Sequence, residues 1–349
     1  MSEKIKRLIQ LIIFIGIGVF FVWLSVRNLE ASDIQSIKES ASQVRKGNSW
    51  FFLLLSSLFI VLAHVFRGLR SVLLLEPLNY KVRKSSSIYA VFVAYFANLA
   101  IPRIGEILRC TFLQHHEKVP FQKSIGTIVT ERALDLIIFL LLFVIAILIN
   151  QNAFSDIIID REQGVSLGMR FESMMQSLLF SYKIYIFLLV TILLIVIIYL
   201  TRKQWRKIPF LIKIKNFGYG IWQGLISIKD LKHPFYFILY TFLIWFSFYL
   251  STYACFFAFD FLSHLGPVAA LSVLGFGTLG FVIAQGGLGA APLIIAATLV
   301  LYNVDYNGGL AAGWINWALQ TVTVIVAGLL SLLLASLSKK KTDEEYKTN

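Results

Sequence analysis

Residues 124–149 have the sequence SIGTIVTERALDLIIFLLLFVIAILI, an apolar run with three charged side chains in its first half. A helix of about 20 mostly apolar residues can cross the hydrocarbon core of a bilayer. Comparable apolar runs cover residues 8–25, 50–66, 183–200, 234–258 and 309–337. The pattern predicts an all-α, polytopic integral membrane bundle, and we expect the first run to be an uncleaved transmembrane helix.

The composition agrees with a membrane protein. The chain has 349 residues, of which 58% are hydrophobic and 15% are charged, whereas soluble domains are about 45–50% apolar and about 25% charged. The formal net charge is +13. The basic residues lie in short segments between the apolar runs, which is typical of cytoplasmic loops rather than of nucleic-acid binding. Cys110 and Cys255 are far apart, and the sequence predicts no metal site, cofactor or catalytic motif.

The charges of the loops predict the orientation of the chain. Segments 67–84 and 202–232 are strongly basic, so we expect both to be cytoplasmic. Segment 151–182 has more acidic than basic residues and should be external. Both termini are then cytoplasmic, and the chain divides into a membrane domain, residues 1–338, and a charged tail, residues 339–349.

Two further apolar regions are interrupted. Residues 86–113 contain Pro102, and residues 267–301 contain the stretch QGGLG at 285–289. Because the loops that flank each region are expected on one side of the membrane, each region should be a re-entrant hairpin or a pair of broken helices. The two enter from opposite sides, which predicts an inverted-repeat architecture with both breaks near the midplane. Such breaks build anion sites from helix N-termini, or they only kink helices for packing.

Charged residues accompany the first break and the run 124–149. An arginine binds phosphate through two parallel hydrogen bonds, so Arg103 and Arg109 are predicted to hold the phosphate of a lipid. Glu106, Glu131 and Asp135 would balance charge or carry a proton. The predicted substrate-binding residues are Arg67, Arg70, Arg103, Glu106, Arg109, Glu131, Arg132, Asp135, Gly286, Gly287 and Gly289. The alternatives are ion pairs that only fix helix packing and, for Arg67 and Arg70, snorkelling to lipid phosphate at the cytoplasmic interface.

Four stretches occur in a familiar order: RGLR (67–70), NLAIPRIGEILR (98–109), TERALD (130–135) and GGLG (286–289). Together they resemble the lysylphosphatidylglycerol synthase transmembrane-domain family, also called flippase-like proteins, over about residues 45–337. In this family a Pro, a Glu and a basic residue often stand where this chain has Gln285, Pro292 and Asn316.

The resemblance implies a multi-pass protein of the bacterial cytoplasmic (inner) membrane that is not an enzyme. The resemblance also implies that the chain lacks the aminoacyl-transferase domain of the full-length synthases and that it moves a phosphate-bearing phospholipid or polyprenyl lipid between leaflets. Two other functions remain open on the residues alone: a membrane-embedded lipid-phosphate transferase, and a non-transporting scaffold for a lipid-modifying enzyme. The expected partner is the membrane lipid, with no nucleic acid. A homodimer and a lipid-modifying enzyme partner are left open.

Overall fold

The structure is a computed structural model that describes residues 49–100, 104–151 and 227–348, together with isolated positions at 34, 35, 38, 39, 42 and 219. The predicted spans 8–25 and 183–200 lie outside the described residues, and so does Arg103. The described residues form eight α-helices: α1 Ser49–Leu75, α2 Lys84–Ala100, α3 Ile104–Glu117, α4 Phe121–Ile149, α5 Pro234–Phe256, α6 Pro267–Ile283, α7 Ala290–Val300 and α8 Tyr306–Thr348.

Four segments of these helices are long and apolar enough to cross a membrane. They are Ser49–Leu78, Phe121–Ile149, Pro234–Phe256 and Tyr306–Leu337. They confirm the spans predicted from hydropathy at 50–66, 124–149, 234–258 and 309–337. The described residues contain no strand, so the prediction of an all-α membrane bundle is also confirmed.

Both predicted breaks in the apolar regions are present. The first lies between the end of α2 at Ala100 and the start of α3 at Ile104, and the second separates α6 from α7. The second break contains a 3-10 turn, Gln285–Gly287. Gly286, Gly287 and Gly289 have φ values of +61°, +73° and +74°, in the left-handed region that side chains other than glycine resist. The glycines therefore allow the chain to turn back into α7, as predicted.

The two arms of each broken region pack against each other. At a rise of 1.5 Å per residue, α2 and α6 are each about 26 Å long, and α3 and α7 are about 21 Å and about 17 Å. All four are shorter than the hydrocarbon core of about 30 Å. These lengths suit hairpins that turn back at depth, and the re-entrant placement in the bilayer stays a prediction.

The order of elements is the same in the two halves of the described chain: a long helix, a broken hairpin and a second long helix. Each half also packs its broken hairpin on a long helix of the other half. The long helices α1 and α5 lie side by side, α2 of the first half packs on α8 of the second, and α6 of the second half packs on α4 of the first. Structurally equivalent halves produce this pattern. Their opposite orientation in the membrane stays a prediction.

The two breaks lie next to each other. The last turn of α2 contacts the turn at 285–287, and a Cβ atom built on Gly286 would lie 3.7 Å from Cδ2 of Leu99. From α8, the Trp317 indole N–H donates a hydrogen bond of 2.8 Å to the Gly286 carbonyl oxygen. This bond satisfies a polar backbone group that the break would otherwise leave unpaired.

Each hairpin is closed by a glycine that lies against the backbone of the opposite arm. A Cβ atom built on Gly105 would lie 2.0 Å from the Ala94 carbonyl oxygen, and one built on Gly280 would lie 2.4 Å from Cα of Ala291. Neither neighbour is a flexible side chain, so the arms would have to separate. The close packing of both hairpins therefore depends on a missing side chain.

We predict that Gly105→Ala and Gly280→Ala each destabilise the protein, by about 1–3 kcal/mol, which is typical of overpacking. The measurement is the free energy of unfolding in mixed detergent micelles. Gly266→Ala is the matched control, because a Cβ atom there would meet no atom within 4 Å. Equal stability of all three variants would contradict the close packing of the arms.

Candidate functional site

The structure brings seven of the predicted charged residues together in four ion pairs, which we call the charged network. Its members come from three helices: Arg67 and Arg70 from α1, Glu106 and Arg109 from α3, and Glu131, Arg132 and Asp135 from α4. Asp135 is the middle residue of α4, Phe121–Ile149. A charge at that position of a membrane-spanning helix is far from water at either end of the helix, so it requires partners inside the protein.

Arg109 and Glu131 form the most enclosed pair. Two parallel hydrogen bonds join the guanidinium group to the carboxylate, at 2.9 Å and 3.0 Å. The side chains are 3% and 2% exposed. This geometry agrees with the prediction that the carboxylates of 124–149 compensate the arginines near the first break. In this conformation Arg109 binds Glu131, so its predicted role as a phosphate ligand stays a prediction.

Asp135 is shared by two arginines. Its Oδ1 accepts a hydrogen bond of 2.8 Å from Arg70 and its Oδ2 accepts one of 3.3 Å from Arg67. Arg70 is 0% exposed and Arg67 is 5% exposed. The interpretation that these arginines snorkel to the cytoplasmic interface is therefore wrong. Both arginines point into the bundle and pair with Asp135. A buried carboxylate without a positively charged partner would strongly destabilise the protein.

Tyr95 of α2 links the arginines to one another. Its hydroxyl oxygen accepts a hydrogen bond from Arg67 and another, of 3.0 Å, from Arg132. Both guanidinium groups also lie over its ring, at 5.1 Å and 5.5 Å from the centroid. Sequence reasoning missed Tyr95, because a tyrosine in an apolar helix is ordinarily a packing residue. Tyr95 lies one helical turn before Leu99, close to the first break. That position could have indicated a role in the site.

Two more polar groups adjoin the network without having been predicted to do so. The Thr241 hydroxyl of α5 accepts a hydrogen bond of 3.5 Å from Arg70. The buried His64 ring lies 4.3 Å from the Tyr95 ring, centroid to centroid, and its Nδ1 has no hydrogen-bond partner among the described residues. The site therefore includes side chains from α1 to α5.

Arg132 and Glu106 form the open end of the network. They are joined by a hydrogen bond of 3.1 Å, and their side chains are 40% and 24% exposed. The exposure of the arginines thus falls from Arg132 to the enclosed Arg109 and Arg70. Arg132 is therefore the most exposed of the four arginines of the network.

The network has more positive than negative charge. Within residues 49–100, 104–151 and 227–348, it contains four guanidinium groups and three carboxylates, because Asp135 serves two arginines. Several buried nitrogens also have no partner among the described residues: Nε of Arg67, Arg70 and Arg109, and Nη2 of Arg70. A buried donor without an acceptor costs about 1–3 kcal/mol. The arrangement can accept an anion with several oxygen atoms.

The predicted glycines occupy a different part of the site. Gly286 faces Leu99 at the second break, and Leu99 follows Tyr95 by one helical turn. Gly286 thus lies beside the helix that carries Tyr95. A role for them in binding substrate stays a prediction.

A double-mutant cycle tests how the enclosed pair contributes to stability. We expect Glu131→Gln to lower the free energy of unfolding by about 3–5 kcal/mol, because it leaves the Arg109 charge buried and unpaired. Combining it with Arg109→Gln should reveal a coupling above about 1 kcal/mol. The same cycle at Arg83 and Glu117, whose arginine is 48% exposed, should give less than about 1 kcal/mol. Equal couplings at the two pairs would contradict the burial of Arg109 and Glu131.

The geometry can be compared with known proteins. The family profile described as "Lysylphosphatidylglycerol synthase TM region" matches residues 8–333. No curated protein and no solved structure matches the chain. The matched residues include the whole charged network and both helix breaks, and they extend over most of the 349 residues. The chain therefore belongs to the family of the lysylphosphatidylglycerol synthase transmembrane region.

Proposed function

We propose that this protein is a lipid translocator that moves a phosphate-bearing phospholipid or polyprenyl lipid between the leaflets of the bacterial cytoplasmic membrane. The observation that carries the proposal is the excess of arginine over carboxylate in the buried network. A lipid phosphate supplies the missing negative charge and several acceptor oxygens. Membership of a family named for a lipid synthase supports a lipid as the ligand.

The network suits the transfer of a head group through hydrocarbon. Moving a bare phosphate into the bilayer core is costly, because it loses its water and gains no hydrogen bonds. Arginines that are already held at the right depth replace the lost water. Arg132 would meet the phosphate first, and Tyr95 would be the acceptor that it displaces, since Tyr95 joins Arg132 to Arg67. The lipid tails would remain in the membrane.

The carboxylates keep the network stable while no lipid is bound. Glu106 holds Arg132, and Asp135 holds Arg67 and Arg70. When a phosphate takes over an arginine, the released carboxylate must find another partner or take up a proton. Proton uptake would couple transport to a gradient. Without it, the movement would follow the lipid concentration in the two leaflets.

The two hairpins would supply the alternating access. Their tips are in contact through Leu99 and Gly286, and each packs on the long helix of the other half. Rocking of one half against the other would open the network to one leaflet at a time. The basic residues Lys81, Arg83 and Lys84 after α1 and the basic segment 202–232 would place the chain termini in the cytoplasm.

A transport assay on reconstituted protein tests the proposal. Vesicles would contain phosphatidylglycerol with a fluorescent head group that a membrane-impermeant reductant bleaches only in the outer leaflet. We expect the wild-type protein to expose nearly all of the label, and protein-free vesicles to expose about half of it. Arg132→Gln should lower the translocation rate at least tenfold, because it removes the accessible arginine and unbalances Glu106.

Arg83→Gln is the matched control. It removes the same charge from an ion pair that joins the residue before α2 to Glu117, the last residue of α3, outside the network, so its rate should match the wild type. Equal rates for Arg132→Gln and the wild type would refute the role of the network. A wild-type protein that moves no lipid but retains a partner enzyme during purification would support the scaffold instead. Metal-dependent turnover of the lipid would support the transferase.

A further inference from the structure

An apolar cavity of about 710 Å³ lies between α4, α5 and α6. Its walls include Leu134, Ile138 and Leu142 from α4, Thr241 and Trp245 from α5, and Leu271 from α6. Nearly all of its lining side chains are hydrocarbon or aromatic. Its volume lies within the range of about 300–1,000 Å³ that is typical of ligand-binding pockets.

The cavity lies beside the charged network. Leu134 of the cavity wall directly precedes Asp135, and Thr241 of the opposite wall accepts a hydrogen bond from Arg70. The Thr241 hydroxyl also donates to the Phe237 carbonyl oxygen at 2.7 Å. Its proton and one of its two lone pairs are thus used within the protein.

The length of the cavity matches one leaflet of the membrane. Along α5 its lining extends from Phe237 to Tyr249, a rise of about 18 Å. Half of the hydrocarbon core of a bilayer is about 15 Å thick. A hydrocarbon chain that lies along the cavity wall would therefore extend over about one leaflet.

We infer that this cavity binds one hydrocarbon chain of the same phosphate-bearing lipid whose head group enters the charged network. The inference rests on the proposed function and extends it, because it makes the chain a second recognised part of the substrate. Head group and chain are then held by adjacent surfaces of α4 and α5. A phosphate without a hydrocarbon chain would lose the contacts with the cavity, and a chain without a phosphate would lose the contacts with the charged network.

Photolabelling tests the inference on the full-length protein in phosphatidylcholine vesicles. The probe is phosphatidylglycerol with a diazirine near the end of one acyl chain, and labelled peptides are identified by mass spectrometry. We expect label on α4 and α5 in the wild type. Ile138→Trp should reduce it at least fivefold by filling the cavity. Leu271→Trp, on the opposite wall, should have the same effect.

Ile137→Trp is the matched control. Ile137 has the same side chain as its neighbour Ile138, is 64% exposed and does not line the cavity, so labelling should stay within twofold of the wild type. Diacylglycerol with the same diazirine lacks phosphate and should label the cavity at least fivefold less. Equal labelling of the Ile137 and Ile138 variants, or equal labelling by the two probes, would overturn the inference. Absence of label from the wild-type cavity would overturn it too and point to another occupant, such as a second copy of the chain.

The two proposals can fail separately. If the wild type is labelled in the cavity as expected but translocates no lipid in the transport assay, the lipid site stands and the translocator is refuted. If the wild type translocates lipid and Ile138→Trp alters neither labelling nor rate, the translocator stands and the cavity is not its chain site.

Discussion

The arginine side chains in the middle of the bundle impose the constraint on which the rest of this structure depends. A guanidinium group cannot lose its proton inside a protein, so each buried arginine must have acceptors wherever it lies. Arg109 donates hydrogen bonds to both carboxylate oxygens of Glu131, and Arg70 donates one to a carboxylate oxygen of Asp135. The acceptors lie on a different helix from the arginines, so these bonds fix the positions of α1 and α3 against α4.

The second helix break is subject to a related constraint. Hydrocarbon cannot satisfy its free backbone groups, and the Trp317 indole N–H donates a hydrogen bond to the Gly286 carbonyl oxygen. The turn at 285–287 also contacts α2. The first break directly precedes α3, which carries Glu106 and Arg109 toward the network. Irregular backbone and buried charge are therefore concentrated in one region, and the long helices α1, α4, α5 and α8 surround it.

Much of the fold could be predicted from the sequence, because hydropathy and helix breakers are local signals. The span 124–149 and the break at 285–289 are confirmed within a few residues. Hydropathy predicts that the second span ends at residue 66, whereas α1 continues to Leu75. The prediction stops early because an arginine after an apolar run, as at Arg67, usually marks the membrane–water interface. Its partner Asp135 lies far along the chain, and a local sequence pattern cannot predict that the two residues are in contact. Tyr95 was missed for the same reason, and the cavity depends on the packing of three helices.

The two halves share their architecture but not their chemistry, and the difference matters for a carrier. The helix after the first break carries Glu106 and Arg109, whereas α7, after the second break, has no charged residue. A ligand shifts the balance between two conformations only when its affinity for them differs. If both halves carried the same charges, a phosphate would bind equally well in either orientation of the hairpins and would favour neither. If the protein translocates a phosphate-bearing lipid as proposed, charges in only one half would let a bound phosphate change the energy of one conformation more than that of the other. The lipid itself would then drive the change in access.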